Sequence, residues 1–214
     1  MLATLVLASS SIYRKKLMEK LNMPFLSASP NINEARLLNE PPGSLVRRLS
    51  EAKARALSIK YCKNLIIGSD QIAILNSTPF DPKNFFGVNT TVIDSSSEIL
   101  CKPENHKQAS QQLRLQSGKR VTFLTSVSVL NSAIGEIETD VITTDVIFRR
   151  LNEKEIDDYL HRDFPYDCTG SFKVESSGIT LLDAIYSCDP TALIGLPLIR
   201  LRKMLEKYRI NNIN

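Results

Sequence analysis

The chain contains 214 residues, of which 43% are hydrophobic and 23% are charged, and these proportions exclude a wholly disordered or fibrous protein. Its 27 basic and 23 acidic residues give a formal charge of +4, an excess too small to indicate a nucleic-acid-binding protein. The longest apolar run, near Gly195, is too short to span a bilayer. We therefore expect one large domain or two small lobes, with neither nucleic acid nor membrane among the partners.

The beginning of the chain predicts a strand followed by a helix. Residues 4–8 are apolar and β-branched, and no basic segment precedes them, which favours a strand over a signal peptide and predicts a cytoplasmic protein. Serines at positions 9–11 follow, and a helical pattern covers residues 12–21. Any of the three serines could cap that helix.

The next segments predict a loop and a second helix. Residues 27–42 are polar and rich in proline, which is typical of a loop. From Ser44 onward, leucine and alanine recur at helical spacing, so a long helix is expected there.

A buried strand is predicted next. Residues 65–69 form an uninterrupted, mostly apolar run that ends at Asp70, as in strands buried on both faces, and residues 71–75 continue in an extended conformation. Residues 76–99 are rich in Asn, Ser, Thr and Pro and are predicted to form a long loop.

The second half of the chain begins with a predicted helix over residues 102–116, with Pro103 in its first turn. Residues 121–130 and 138–148 alternate as two long strands joined by a turn. This central hairpin separates two regions in which strands and helices alternate.

Near the C-terminal end, Asn152 and Glu155 have the spacing of a capping box at the start of a helix. Residues 178–185 are predicted to form a strand, and Pro197 is predicted to begin a final helix. The complete pattern predicts an α/β fold with a mixed twisted sheet and flanking helices.

The cysteines and histidines give no strong indication of a metal centre. The cysteines occur without a Cys-x-x-Cys pair, and we expect them to be reduced and partly buried. They are Cys62, Cys101, Cys168 and Cys188. The chain has two histidines, His106 and His161, so a His-rich zinc site is excluded, and each is expected to be a solvated side chain.

The serines after the first strand lie where a helix N-terminus would attract an anion. Arg14 and Lys15 follow near the first turn, where the helix dipole disfavours an exposed positive charge by about 0.3–1 kcal/mol. Arg14 is therefore interpreted as a phosphate-binding residue, with a solvated surface cation as the alternative. For Lys15 and Lys16 the surface interpretation is preferred.

Asp70 is the second candidate, because ligands of open α/β sheets bind at the carboxyl ends of the strands. A carboxylate there could hold a metal ion or activate a water molecule. The alternative is an ordinary cap or loop aspartate. The apolar strand before Asp70 and the extended chain after it favour a functional role.

Five segments of the chain occur in the same order in one known family. Together they resemble the Maf-like nucleoside triphosphate pyrophosphatases, most closely the branch that hydrolyses 7-methyl-GTP. Single pieces such as Lys-Pro are unspecific, whereas five in the same order are specific. The segments are residues 7–14 (LASSSIYR), 68–71 (GSDQ), 102–103 (KP), 167–173 (DCTGSFK) and 195–198 (GLPL).

The resemblance implies a single Maf-like domain over residues 1–214 with a long insertion at about residues 76–99. It implies two lobes around a central cleft, as in inosine triphosphate pyrophosphatase-like folds. The implied reaction is hydrolysis of the α–β phosphoanhydride of a modified nucleotide, such as 7-methyl-GTP, to the monophosphate and pyrophosphate. Mg²⁺ or Mn²⁺ and a possible homodimer are also implied.

Two alternatives to this function stay open. One is the same reaction on pyrimidine triphosphates such as dTTP or UTP. The other is a non-catalytic nucleotide-binding regulator of cell division, although such a protein has no need of a catalytic carboxylate.

Matching positions assign the roles implied by the resemblance. Asp70 is the proton acceptor and, with Glu34, a metal ligand. The implied phosphate-binding residues are Ser9, Ser11, Arg14, Lys53 and Lys102. The residues implied to select the base are Tyr13, Gln71 and Glu175. N7-methylated guanine is a cation, which an aromatic face attracts by about 0.5–2 kcal/mol.

Overall fold

The computed structural model describes residues 4–75 and 98–208. In this part of the chain the strands are β1 (Leu5–Ala8), β2 (Phe25–Ala28), β3 (Leu65–Leu75), β4 (Glu98–Leu100), β5 (Arg120–Asn131), β6 (Glu136–Phe148) and β7 (Leu182–Ser187). The helices are α1 (Ile12–Glu19), α2 (Pro42–Ala56), α3 (His106–Gln116), α4 (Glu153–Asp163) and α5 (Leu198–Glu206). None of these helices is long and apolar enough to cross a membrane.

The seven strands form one sheet in the order β2-β1-β3-β5-β6-β7, and β4 pairs with β3 outside this order. The sheet is mixed, as predicted: β1 is parallel to β2 and β3, whereas the pairs β3–β4 and β6–β7 are antiparallel. Leu7 of β1 is in register with Ile67 of β3. Because the two strands are parallel and in this register, the serine turn after β1 lies at the level of Ser69 and Asp70 in β3.

The chain divides into two compact units, in agreement with the two lobes expected from the sequence. Among the described residues, the first unit contains residues 4–71, 125–142 and 189–208, and the second contains residues 72–75, 98–124 and 143–188.

In the first unit, β1 and β3 are buried on both faces because successive side chains point to opposite sides of the sheet. One hydrophobic cluster contains Leu5, Leu7, Leu65 and Ile67 together with Leu17, Met18, Leu201, Met204 and Leu205 of α1 and α5. The other contains Val6, Ala8 and Ile66 together with Ala54 of α2. Thus α2 covers one face of these strands, and α1 and α5 cover the other.

Gly68 allows α2 to lie unusually close to β3. A Cβ atom at Gly68 would lie 2.0 Å from the Ser50 carbonyl oxygen and 3.0 Å from the Ala54 backbone nitrogen. Since these are backbone atoms, neither can move without displacing the helix. We expect Gly68→Ala to lower the free energy of unfolding by about 1–3 kcal/mol, as for other overpacked core positions. Urea unfolding followed by circular dichroism measures this loss.

Gly43, in the first turn of α2, provides the matched control for that prediction. A Cβ at Gly43 would have no atom within 4 Å. Alanine is favoured over glycine in helices, so Gly43→Ala should leave stability unchanged or raise it by about 0.5–1 kcal/mol. Equal stability of Gly68→Ala and the wild type would show that the close approach of α2 imposes no constraint.

In the second unit, an aromatic cluster and buried hydrogen bonds hold the segment 167–173. Phe172 lies with its ring centroid 6.1 Å from that of Phe123 and 5.3 Å from that of Phe148. The Gln116 side-chain amide donates a hydrogen bond of 2.7 Å to the Gly170 carbonyl oxygen. These contacts fix the backbone of the segment that carries the fourth family motif.

Several predicted elements are confirmed. Residues 120–148 form the central hairpin of β5 and β6, and α5 begins directly after Pro197. The Asn152 side chain accepts a hydrogen bond from the Glu155 backbone N–H, and the Glu155 carboxylate accepts one from the Asn152 N–H. This reciprocal pair is the capping box that the sequence predicted.

The sequence prediction missed β2, since it assigned residues 27–42 to a loop. Ser27 and Ala28 belong to this strand, which lies at the end of the described sheet order and pairs with β1. Its sequence, FLSA, does not alternate between apolar and polar residues, and none of the four residues is buried. The structure of residues 76–97, most of the predicted insertion, lies outside the described residues, whereas Glu98 and Ile99 are in β4.

Two predicted boundaries were wrong. Helix α3 begins at His106 and not at Lys102, because the Asn105 side chain accepts a hydrogen bond from the Gln108 N–H and caps the helix there. Residues 177–181 form a 3₁₀ turn before β7, since the Ser177 hydroxyl and N–H are held by the Asp163 carboxylate.

The cysteines are also more exposed than expected. All four are unpaired, and Cys168 is half-buried. The prediction of partial burial was wrong for the other three, which are exposed: Cys62, Cys101 and Cys188.

Candidate active site

Asp70 lies within β3, and not at its end as the sequence suggested, because the extended segment after it continues the same strand. Its side chain is buried, with 5% of the residue exposed. Successive strand residues face opposite sides, so Gly68 and Asp70 face α2, whereas Ser69 and Gln71 face the segment 190–195. The contacts of these four residues follow this alternation.

Lys53 of α2 joins Asp70 to Glu34. Its Nζ atom donates hydrogen bonds of 2.6 Å to Asp70 Oδ1 and 3.0 Å to Glu34 Oε2. The Lys53 and Asp70 side chains are buried, whereas 57% of the Glu34 side chain is exposed. We call Glu34, Lys53 and Asp70 the carboxylate–lysine cluster. The close approach of α2 at Gly68 brings Lys53, one helical turn further on from Ser50, to Asp70.

Arg48, also on α2, fixes the loop that carries Glu34. Its guanidinium donates to the Ala35 carbonyl oxygen at 3.0 Å and pairs with both carboxylate oxygens of Glu40 at 2.6 and 2.7 Å. The hydrogen bond from Arg48 holds the pKa of the buried Glu40 carboxyl below its ordinary value. Sequence analysis did not identify Arg48 and Glu40, because residues that act through loop anchoring have no motif of their own.

Arg14 of α1 is anchored to the segment that precedes α5. Its Nε atom donates a 2.8 Å hydrogen bond to the Gly195 carbonyl oxygen, which also accepts one of 2.8 Å from the Ser69 hydroxyl. Gly195 has a φ of +119°, a conformation that favours glycine, and a Cβ there would lie 3.5 Å from Arg14 Nε. Gly195 therefore orients both the backbone turn before α5 and the Arg14 side chain.

The charges of these residues influence one another. Burial raises the pKa of Asp70 above its ordinary value, while Lys53 and Arg14 lower it and Glu34 raises it further. Burial lowers the pKa of Arg14, which Asp70 and Glu34 counteract. Two cations and two carboxylates are therefore close enough to interact, and they balance in formal charge.

Ser9 and Ser11 organise the turn between β1 and α1. The Ser9 hydroxyl accepts a 3.1 Å hydrogen bond from the Ser11 N–H, and the Ser11 hydroxyl accepts one of 3.4 Å from the Arg14 N–H. Ser11 is thus the N-cap of α1, one of the three possibilities left open by the sequence. The predicted phosphate-binding role of both serines stays a prediction.

Of the residues expected to select the base, Tyr13 and Gln71 belong to the first unit and Glu175 to the second. Tyr13 is half-buried in the first turn of α1. The Gln71 side-chain nitrogen donates to Thr125 Oγ1 and to the carbonyl oxygens of Ala192 and Leu193, at 2.9–3.1 Å. Gln71 thus holds the turn 190–194 through its amide nitrogen.

In the second unit, Lys102 follows β4 and Glu175 follows the segment 167–173; both are exposed. The Gly170 N–H donates to the Cys101 carbonyl oxygen at 3.4 Å, next to Lys102. Partial desolvation raises the pKa of Glu175. Two family segments therefore lie together in this unit.

Of the predicted site residues, the first unit brings four together: Arg14, Glu34, Lys53 and Asp70. The donor set of Glu34 and Asp70 fits a hard divalent cation, because Mg²⁺ is commonly bound by one or two carboxylates together with substrate phosphates. Sequence reasoning missed Thr125, which shares the Gln71 amide, since a lone threonine in a strand carries no signal.

The chain is similar to known proteins over nearly its whole length. The family model described as Maf-like protein matches residues 4–208. A 7-methyl-GTP pyrophosphatase of Pseudomonas putida is 43% identical over 203 residues, which cover 95% of each chain. Proteins of the same name from Nitrosococcus oceani and Pseudoalteromonas translucida are 44% and 42% identical, covering 95% and 97% of this chain and 92% and 93% of their own. The chain belongs to the family of Maf-like proteins.

Proposed function

We propose that this protein is a nucleoside triphosphate pyrophosphatase that hydrolyses the α–β phosphoanhydride of 7-methyl-GTP to 7-methyl-GMP and pyrophosphate. The observation that carries the proposal is the buried Lys53–Asp70 pair with Glu34 beside it. Relatives that are 42–44% identical over nearly their whole length and bear the name 7-methyl-GTP pyrophosphatase support the choice of substrate.

Asp70 acts as the general base in this proposal. A water molecule attacks phosphorus at the α–β anhydride and its proton passes to the Asp70 carboxylate. The bridging P–O bond breaks with its electron pair on the departing phosphate oxygen, which gives 7-methyl-GMP and pyrophosphate. Burial favours this role, since a carboxylate with a raised pKa is a stronger base than an exposed aspartate. Lys53, in contact with Asp70, keeps enough of the group ionised for it to accept the proton.

The cations bind the triphosphate. Arg14 has its Nε committed to Gly195, and among residues 4–75 and 98–208 its terminal nitrogens have no hydrogen-bond partner, so they can form a two-pronged contact with phosphate oxygens. Lys53 and Lys102 act as point charges. Ser9 and Ser11 shape the α1 N-terminus, where backbone N–H groups favour an anion.

Glu34 and Asp70 would hold Mg²⁺ or Mn²⁺. Such an ion neutralises phosphate charge and lowers the pKa of a bound water. The exposed position of Glu34 leaves it able to turn toward an incoming ion–nucleotide complex while Asp70 stays paired with Lys53.

The selection of the base is assigned to Tyr13, Gln71 and Glu175. The methylated guanine is cationic, which the Tyr13 ring and the Glu175 carboxylate would attract. Gln71 contributes by fixing the turn 190–194 through its amide nitrogen. A single Maf-like domain over residues 1–214 with an insertion at about residues 76–99, assembly as a homodimer and a cytoplasmic location complete the proposal.

A substrate panel with separate measurement of pyrophosphate and orthophosphate tests the proposed reaction. Purified protein receives Mg²⁺ or Mn²⁺ and 7-methyl-GTP, GTP, dTTP or UTP. We expect pyrophosphate in equal amount to the monophosphate, with the highest kcat/KM for 7-methyl-GTP. Orthophosphate as the sole product would refute cleavage at the α–β bond.

Two other outcomes would replace the proposed function. Preference for dTTP and UTP would assign the enzyme to pyrimidine triphosphates. Binding of nucleotides without any product would indicate a non-catalytic regulator.

A further inference from the structure

The chain's two histidines, which the sequence treated as separate solvated side chains, lie together in the second unit. His106 is the first residue of α3, and His161 is in the last turn of α4. Their ring centroids are 5.0 Å apart. Both rings lie against one carboxylate, that of Asp157, one helical turn before His161.

The distances within this group match those between ligands of one metal ion. Asp157 Oδ1 lies 3.3 Å from His106 Nε2 and 3.4 Å from His161 Nδ1. Two atoms about 2.0–2.1 Å from a tetrahedral zinc ion lie roughly 3.3 Å from each other. One ligand atom from each of the three residues can be chosen so that all lie within 4.8 Å of one another.

A second layer of contacts orients the imidazoles. His106 Nδ1 lies 3.1 Å from the Tyr166 hydroxyl, which leaves its Nε2 directed toward Asp157. Metal-binding histidines are commonly held as His106 is, by a hydrogen bond at one ring nitrogen while the other binds the ion. His161 Nδ1 lies 2.9 Å from the Asp157 carbonyl oxygen as well as 3.4 Å from its carboxylate, so an ion bound through this nitrogen would replace the backbone contact.

The surroundings favour a borderline transition metal over a hard cation. A cavity of about 530 Å³ borders His106 and Asp157 and gives access from solvent. Its lining includes Lys107 and Lys154, together with Arg114, whose guanidinium pairs with the Glu153 carboxylate of the same lining. The two lysine charges oppose a weakly held ion such as Mg²⁺, whereas imidazole ligands bind Zn²⁺, Co²⁺ and Ni²⁺ strongly. They also favour an anionic ligand at an open coordination position.

We propose that His106, Asp157 and His161 form a binding site for Zn²⁺ or a similar first-row divalent metal that links the start of α3 to α4. Three protein ligands leave at least one coordination position open toward the cavity. The carboxylate–lysine cluster, which is built from other residues in the first unit, has no part in this site.

The presence of two histidines in the whole chain permits a direct test. Tag-free protein is labelled with ¹⁵N, and its imidazole nitrogen signals are recorded by long-range ¹H–¹⁵N correlation while Zn²⁺ is added in the presence of excess Mg²⁺. Both sets of signals should change together and saturate at one ion per chain. The thermal midpoint should rise by about 5–11 °C at an ion concentration roughly 100 times the Kd.

Variants assign the effect to individual side chains. His106→Gln and Asp157→Asn should each weaken Zn²⁺ binding by at least about tenfold, and Tyr166→Phe by about tenfold through loss of its hydrogen bond to His106. Asp158→Asn is the matched control, since Asp158 is an exposed carboxylate on the same helix, and it should bind as the wild type does.

The cysteines are the main competing ligands, because three of the four are exposed. A titration with Co²⁺ distinguishes the two kinds of site. Co²⁺ bound to thiolates gives intense near-ultraviolet absorption, which a site of two imidazoles and a carboxylate lacks. Zinc binding with unchanged imidazole signals, or with equal affinity in His106→Gln and the wild type, would overturn the proposal. An absence of saturable binding would overturn it as well.

Discussion

Replacement of Asp70 by asparagine is expected to lower kcat with 7-methyl-GTP by about 10²–10⁴-fold, the usual contribution of a positioned general base. Asparagine has the same shape as aspartate and can still accept the hydrogen bond from Lys53 Nζ, so the fold should persist. What the variant loses is a group that can take a proton. Steady-state release of pyrophosphate measures the loss, and circular dichroism with urea unfolding verifies that the variant is folded.

Asp145→Asn is the matched control for this prediction. Asp145 is a buried carboxylate in β6, 4% exposed, which accepts a hydrogen bond from the Thr122 hydroxyl. It belongs to the second unit and has no proposed role in the reaction. Its variant should keep wild-type turnover per folded molecule. Equal activity of Asp70→Asn and Asp145→Asn would remove Asp70 from the reaction.

The ionised Asp70 is the active form of a general base, so kcat/KM should fall in acid as the carboxyl becomes protonated. Burial raises the pKa of this group above 3.8, and the acid limb of the profile should lie correspondingly higher. The residual activity of Asp70→Asn should show no such fall of kcat/KM in acid.

The fold was predictable where local patterns coincide with tertiary contacts. The apolar run of β3 identified a strand buried on both faces because both α2 and the α1–α5 pair cover it. The capping box at Asn152 was predictable because all of its hydrogen bonds lie within four residues. By contrast, β2 depends on its parallel pairing with β1, which no pattern of its own four residues reveals.

The candidate site was predictable in its residue types but not in its connections. Arg14 and Asp70 drew attention through their places after a serine turn and an apolar strand. Lys53 and Glu34 came from the family resemblance, because neither has a local signal. The direct contact of Lys53 with both carboxylates depends on the absence of a side chain at Gly68, a tertiary constraint that the sequence does not display.

The two histidines illustrate the same limit. His106 and His161 are 55 positions apart in the chain, and each lies in a polar segment. Packing of α3 beside α4 brings both to Asp157. The count of two histidines speaks against a site built from many of them, but the sequence could not show that the two share a carboxylate.

Lys53→Met is expected to reduce activity and to move the acid limb of kcat/KM to higher pH. Lys53 is the strongest of the groups that lower the pKa of Asp70, and its removal leaves a buried carboxylate beside Glu34 with Arg14 as the compensating charge. Each unit of change in that pKa corresponds to about 1.4 kcal/mol in the free-energy difference between the ionised and the protonated carboxyl. A pH series of kcat/KM for the variant and the wild type measures the displacement.

The controls for this experiment separate charge from shape. Lys53→Arg keeps a cation next to Asp70 and should keep the acid limb closer to that of the wild type than Lys53→Met does. Arg55→Met removes an exposed cation from the same helix and should leave the profile unchanged. An acid limb at the same pH in Lys53→Met and the wild type would show that Lys53 does not influence the catalytic base.

The stability of Lys53→Met should depend on pH, and the sign of this dependence follows from the direction in which the pKa of Asp70 is shifted. A folded carboxyl with a raised pKa binds its proton more tightly than the unfolded chain does, so the free energy of unfolding falls as pH rises through the interval above about 3.9. Lys53→Met extends this interval upward. Relative to the wild type, the loss in free energy of unfolding should therefore be small near pH 4 and should reach about 3–5 kcal/mol at neutral pH. This is the usual cost of leaving one member of a buried ion pair without its partner. Urea unfolding at both pH values measures it, and a deficit that grows toward acid would contradict the proposed pairing.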